Sequence, residues 1–183
     1  MTSGAVLYIG NKCFSSWSLR PWITLKQAGI PFEERVIRLR RPETKATILQ
    51  VSPGGKVPVL HHKGNLIWES LAILEYLAET FPEARLWPSD AGARAHARAI
   101  SAEMHGGFPD LRQQWGMNLR RPRAEKPLEG AAIAQAARIE AIWQNCRAQY
   151  GAAGPFLFGS FSNADAMYAP VVTRFHSYGG VLS

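Results

Sequence analysis

Every β-like run in this sequence lies before residue 70, which rules out any fold that needs strands throughout its length. Ala5-Val6-Leu7-Tyr8-Ile9-Gly10 is apolar and β-rich, and 34–39 reads as a second strand. Val57-Pro58-Val59-Leu60 follows a glycine turn and pairs with Leu66-Ile67-Trp68 across a hairpin loop at Lys63-Gly64-Asn65. Between these runs the apolar period changes to that of helices. Leu19, Trp22, Ile23 and Leu25 recur over 18–28, with Pro21 suited to a first turn and Gly29 to the residue past the end. A short helix over 42–50 and a longer one over 69–80, with Leu71, Leu74, Leu77 and Ala78 on one face, complete the order β-α-β-α-β-β-α. The segment 81–90 then carries two prolines, and beyond it only alanine-rich helical patterns remain, over 90–115, 130–149 and 163–177. The expected layout is an α/β domain over 1–81, a linker over 82–90 and an all-α domain over 91–183.

At 183 residues the chain has room for two small domains, and 46% apolar with 19% charged residues is ordinary soluble composition. Ala5-Val6-Leu7-Tyr8-Ile9 is too short to span a bilayer and lacks the basic start of a signal peptide, so a cytoplasmic location with no membrane partner is expected. Two cysteines, Cys13 and Cys146, fit a reducing compartment better than a disulfide scaffold. The net charge of +7 raises the question of nucleic acid. Its local clusters, Arg38/Arg40/Arg41 and Arg120/Arg121/Arg123, form no stripe with stacking aromatics, and the expected role is a solvated basic surface that attracts small anions. His61, His62 and His96 have no ligand spacing with other His or Cys, so no metal is expected.

Three features of the first domain carry chemistry. The loop Cys13-Phe14-Ser15-Ser16-Trp17-Ser18-Leu19-Arg20-Pro21 places hydroxyls at a helix N-terminus, where unpaired N–H groups and the helix dipole favour an anion such as a thiolate. On this segment alone the serines read first as simple helix caps. Val57-Pro58 marks either an edge proline or a cis bond, which would offer the Val57 backbone to an extended peptide. Glu69-Ser70 opens a helix directly after a strand, where a hydroxyl and a free N–H suit a carboxylate and Glu69 suits an ammonium.

Together and in this order these segments resemble the glutathione transferase family. The resemblance runs through 51–60 (VSPGGKVPVL), 68–77 (WESLAILEYL), Leu86-Trp87-Pro88 and Ser162-Asn163-Ala164-Asp165. It implies a thioredoxin-like N-terminal domain, an all-helical C-terminal domain and a homodimer. The loop Ser15-Ser16-Trp17-Ser18 is nearest the serine-type, zeta-like pattern, which implies Ser15 as the hydrogen-bond donor to the glutathione sulfur, with Ser16 as helper. By the same resemblance Val57, beside a cis Pro58, pairs with the cysteinyl part of glutathione. Glu69 and Ser70 hold its γ-glutamyl end, and Lys56 neutralises its glycyl carboxylate. Ser162 and Asp165 form a helix capping box. A hydrophobic-substrate pocket is expected between the domains, with Met104, His105 and Phe108 on its helical side, although a stripe at this helical spacing is more often plain core.

The sequence departs from the pattern at three places. Trp17 stands where the zeta-type loop has a cysteine, which weakens the implied maleylacetoacetate isomerase activity. Cys13 has C-x-x-S spacing to Ser16 but lies two residues before the position a cysteine nucleophile would take relative to Arg20. The chain also stops soon after the last helix, as a short variant or a truncation would. The expected function is transfer of glutathione to small apolar electrophiles. Two alternatives stand beside it: a non-catalytic interaction module of the same fold, and a thiol–disulfide oxidoreductase working through Cys13.

Overall fold

Val6–Ile9 (β1), Glu33–Val36 (β2), Val59–His62 (β3) and Asn65–Trp68 (β4) form one sheet in the order β2-β1-β3-β4 in the computed structural model, which describes residues 4–180. β2 runs parallel to β1, while β3 and β4 are antiparallel additions. Helices Ser16–Gln27 (α1), Thr44–Leu49 (α2) and Ser70–Thr80 (α3) complete this part of the chain, and α1 packs against α3. This is a thioredoxin-like arrangement. Alternation along β1 turns Leu7 and Ile9 inward, and they meet Leu25, Leu60, Ile73 and Leu77 in one buried core.

Several boundaries differ from expectation. α1 begins at Ser16, so Pro21 is an interior residue rather than a first-turn one. It has no N–H to offer the carbonyl of Trp17 four residues back. β3 begins at Val59, leaving Val57 and Pro58 in the approach to the strand, and the peptide bond between them is cis. The hairpin turn is the pair Lys63-Gly64, both with positive φ (49° and 79°), the twist that joins antiparallel neighbours; Asn65 belongs to the strand.

The chain divides into two units, Met1–Leu86 and Trp87–Ser183. The second contains the helices Ala91–Gly106 (α4), Pro109–Gln114 (α5), Ala131–Tyr150 (α6) and Asn163–Tyr178 (α7). Its core includes Ala97, Ile100, Met104, Leu111, Ile139, Ile142, Met167 and Val171, each nearly or fully buried. The single helix expected over 90–115 is two. Gly107 and Phe108 break it, and Phe108 sits at φ 61°. A Cβ on Gly107 would come within 2.7 Å of the Glu103 carbonyl oxygen, so this way of ending α4 favours glycine. The start of α7 carries the expected capping box. Asp165 Oδ2 accepts from the Ser162 N–H at 2.8 Å and the Ser162 hydroxyl at 2.9 Å, while Oδ1 accepts from the Leu157 N–H at 2.9 Å. Burial pushes the Asp165 carboxyl above its ordinary range against these hydrogen bonds.

Candidate functional site

The sheet register decides where the candidate residues meet. Tyr8 lies opposite Val59, and Val59 opposite Trp68, so the C-terminal ends of β1 and β4 flank the N-terminal end of β3. β2 runs beside β1 to Val36, opposite Ile9. The loop 10–15, the loop 37–43, the turn 53–58 and the pair Glu69-Ser70 therefore emerge at one end of the sheet. The first and last are two strand spacings apart, ~10 Å. Ser15, Ser16, Lys56, Val57, Pro58, Glu69 and Ser70 thus share one rim of the α/β unit. Met104, His105 and Phe108 belong to the helical unit, where Met104 is fully buried, Phe108 nearly so and His105 partly exposed.

At the first loop, Ser15 occupies the N-cap position of α1, yet its side chain makes no capping bond. Its Oγ instead lies 2.8 Å from Ser18 Oγ, which in turn accepts the Gly10 N–H at 3.0 Å. Ser15, Ser16 and Ser18 are all buried. Gly10 has to be small here: a Cβ would lie 2.6 Å from Leu39 Cδ1 and 3.0 Å from Ser15 Cβ. Asn11 ties the neighbouring loop in place, its Oδ1 accepting the Leu39 N–H at 2.8 Å. That loop carries Arg38, Arg40 and Arg41. Lys12 is engaged by Glu34 at 2.7 Å; burial opposes the Glu34 charge, but Lys12 and the Trp22 N–H hold its carboxyl below the ordinary range. Trp17 lies under the Arg20 guanidinium, 4.1 Å from ring centroid to Cζ. Cys13 is a partly exposed free thiol in the same loop.

The opposite side of the rim is marked by strain and by unsatisfied hydroxyls. Glu69 has φ 68°, a conformation that costs a non-glycine residue about 1–3 kcal/mol and persists where the surroundings demand it. Ser70 is 1% exposed, and among the described residues its Oγ has no hydrogen-bond partner. Ser52 Oγ, in the turn leading to β3, is also buried and without one. Buried hydroxyls are nearly always paired, so these two orphans are exceptions. Sequence reasoning gave Ser70 a role, included Ser18 and Ser52 in quoted segments without one, and did not single out Asn11. Only Ser18 left a usable signal, its i+3 spacing from Ser15.

Elsewhere His61, His62 and His96 are accounted for by neighbours. His61 Nε2 bonds the Val51 carbonyl, His62 Nδ1 the Tyr76 hydroxyl, and His96 Nε2 lies 3.7 Å from Cys146 Sγ. Among the described residues no group of His, Cys, Asp and Glu is placed to hold a metal ion, and no helix is long and apolar enough to cross a membrane.

Comparison with known proteins identifies the family. The family model for the glutathione S-transferase N-terminal domain matches residues 14–80. A probable maleylacetoacetate isomerase of Caenorhabditis elegans is 40% identical over 106 residues, 58% of this chain and 49% of that protein. The maleylacetoacetate isomerase of Rattus norvegicus is 34% identical over 178 residues, 92% of this chain and 77% of that one. The chain belongs to the glutathione S-transferase family. Its match spans about half the length of the nematode member. A crystal structure of a glutathione transferase homolog from Burkholderia, with bound glutathione, is 27% identical with a TM-score of 0.69, covering 93% of this chain and 80% of that one. Glutathione S-transferase family relatives are enzymes that use glutathione, and the rim described above lies within and just before the family-matched segment.

Proposed function

We propose that this chain activates the thiol of glutathione for attack on small apolar electrophiles. The observation that carries the reading is Ser15: a buried hydroxyl at a helix N-terminus that caps nothing and hydrogen-bonds another serine instead. Glutathione, when bound, supplies the sulfur nucleophile. Ser15 donates a hydrogen bond to that sulfur and favours its ionised form, with Ser16 as helper and the N-terminus of α1 adding its partial positive charge. Lowering a thiol pKa by about two units takes ~2.7 kcal/mol, which one charge-assisted bond and a helix terminus supply between them. Val57, beside the cis Pro58, takes the peptide backbone of the ligand. Glu69 takes its ammonium, and the orphan hydroxyl of Ser70 fits its α-carboxylate. Lys56, exposed at the turn, suits the glycyl carboxylate. For the electrophile side our assignment is His105, which is partly exposed; Met104 and Phe108 belong to the buried core of the helical unit. Family resemblance adds a cytoplasmic homodimer to this reading.

The test is ultraviolet thiolate absorbance while glutathione is titrated into wild type, Ser15→Ala and Cys13→Ser at neutral pH. We expect a saturable thiolate signal in wild type and Cys13→Ser that is lost in Ser15→Ala. No signal in folded wild-type protein would overturn the reading in favour of an interaction module. A signal lost in Cys13→Ser and kept in Ser15→Ala would turn it into a thiol–disulfide oxidoreductase.

A further inference from the structure

We infer that Ser18 is a positioning residue for thiol activation: the second member of a hydroxyl chain that runs from the Gly10 backbone N–H through Ser18 to Ser15. The inference rests on the role proposed for Ser15. A serine hydroxyl has one proton to donate and two lone pairs to accept with. Ser18 Oγ accepts the Gly10 N–H at 3.0 Å and lies 2.8 Å from Ser15 Oγ, and between the two serines either oxygen can be the donor. Proton counting removes that freedom once a sulfur anion is present. Ser15 has a single proton, and if it goes to the sulfur then the proton between the serines has to come from Ser18. The chain then points one way, from Gly10 N–H to Ser18 O–H to Ser15 O–H to sulfur.

Each donor in such a chain polarises the next, and burial of all three serines of the loop keeps water from competing. Ser15 consequently donates more strongly than a serine hydroxyl bonded to water would. The geometry also fixes its direction. Ser18 is on the first turn of α1, three residues after Ser15, and its bond holds the Ser15 Oγ away from the capping position it would otherwise take. The start of the chain is rigid, because Gly10 follows β1 directly and lies against Leu39 and Ser15.

The charged groups around the loop are Lys12 with Glu34, Arg20 over Trp17, and Arg38, Arg40 and Arg41 on the adjoining loop. Substitution of Ser18 changes none of them, so a change in thiol titration reports on the hydroxyls. The experiment measures the thiol pKa of bound glutathione, by thiolate absorbance against pH, in wild type, Ser15→Ala, Ser18→Ala and the double variant. Binding of S-methylglutathione, which has no ionisable thiol, is measured alongside. Ser18→Cys, with a weak donor of similar size, takes the place of Ser18→Ala if loss of the Gly10 partner prevents folding.

The expected result is a rise of about half a unit in Ser18→Ala or Ser18→Cys, roughly a threefold loss of thiolate preference. S-methylglutathione affinity stays unchanged, and no further rise occurs in the Ser15→Ala background. An unshifted pKa, an equal rise without Ser15, or equal weakening of S-methylglutathione would each overturn the inference and leave Ser18 a structural tie. If Ser15→Ala itself leaves the pKa unmoved, the reading of Ser15 fails first, whatever Ser18 does.

Discussion

Three serines of the α/β unit hold their hydroxyls in different states, and the differences are chemically informative. Ser15 is hydrogen-bonded but not to the backbone it could cap, whereas Ser52 and Ser70 are buried with oxygens that have no partner among the described residues. An orphan hydroxyl is a standing cost in the free protein and a ready partner for a ligand. Replacing Ser70 by alanine should therefore leave the ligand-free protein as stable as wild type or up to ~1 kcal/mol more so, since the unsatisfied group is gone. The same change should weaken glutathione binding by about tenfold or more, the loss of a hydrogen bond to a carboxylate. Thermal melts without ligand and calorimetric titration with it would measure the two effects. A destabilised variant with unchanged affinity would instead make Ser70 a structural residue. At this scale the sequence revealed which residue types belong to the rim but not how they pair. The Ser15–Ser18 bond depends on side-chain torsions and on an amide eight residues earlier, Gly10, which no local spacing encodes.

Among the elements, strand order and helix order were legible because each run obeys one period. Their ends were less so. α4 and α5 share an apolar repeat that continues through the break, so periodicity alone joins them; Gly107 followed by a proline at the start of α5 was the available sign. α1 hid its start for the opposite reason, since Pro21 suggested a first turn that lies five residues earlier. Packing between elements was not legible at all, and one such contact makes a prediction. Cys146 of α6 is fully buried beside His96 of α4, and burial, with the nearby Asp165 charge, pushes its thiol from 9.0 up to about 11. Above about pH 9 the unfolded chain loses this proton while the folded protein keeps it. The unfolded state then binds fewer protons, so stability falls as pH rises, by at most ~2.7 kcal/mol by about pH 11. Cys146→Ala should remove that component. Denaturation midpoints of the two proteins, followed from neutral to alkaline pH, should converge as the pH rises; parallel curves would mean the thiol is not protected.

Taken whole, the molecule divides its labour by sequence position. Every residue assigned to glutathione lies between 15 and 70, inside the first unit, and His105, assigned to the electrophile, lies in the second. Glutathione at a hundredfold excess over its dissociation constant contributes ~2.7 kcal/mol of stability. Amide exchange should accordingly slow, by up to about a hundredfold, at the loop 10–15, the turn 53–58 and the start of α3, with α6 little changed. Slowing spread evenly over both units, or confined to α6, would contradict the assignment of the binding rim. The two-part character itself was plain from the sequence, because no strand pattern recurs after the connector begins.

That the first unit is one unbroken length of chain also sets a schedule. Its core residues, from Ala5 to Leu86, are all translated before the helical unit begins, whereas the helical unit awaits α7, whose Asn163–Tyr178 segment packs against α4. At about 5–20 residues per second, the ribosome takes roughly 4–15 seconds to reach α7 after finishing the sheet and its helices. During that interval the nascent protein has the whole of the rim proposed for glutathione and only part of its second half, so on that proposal the tripeptide can meet its binding surface while the chain is still being made.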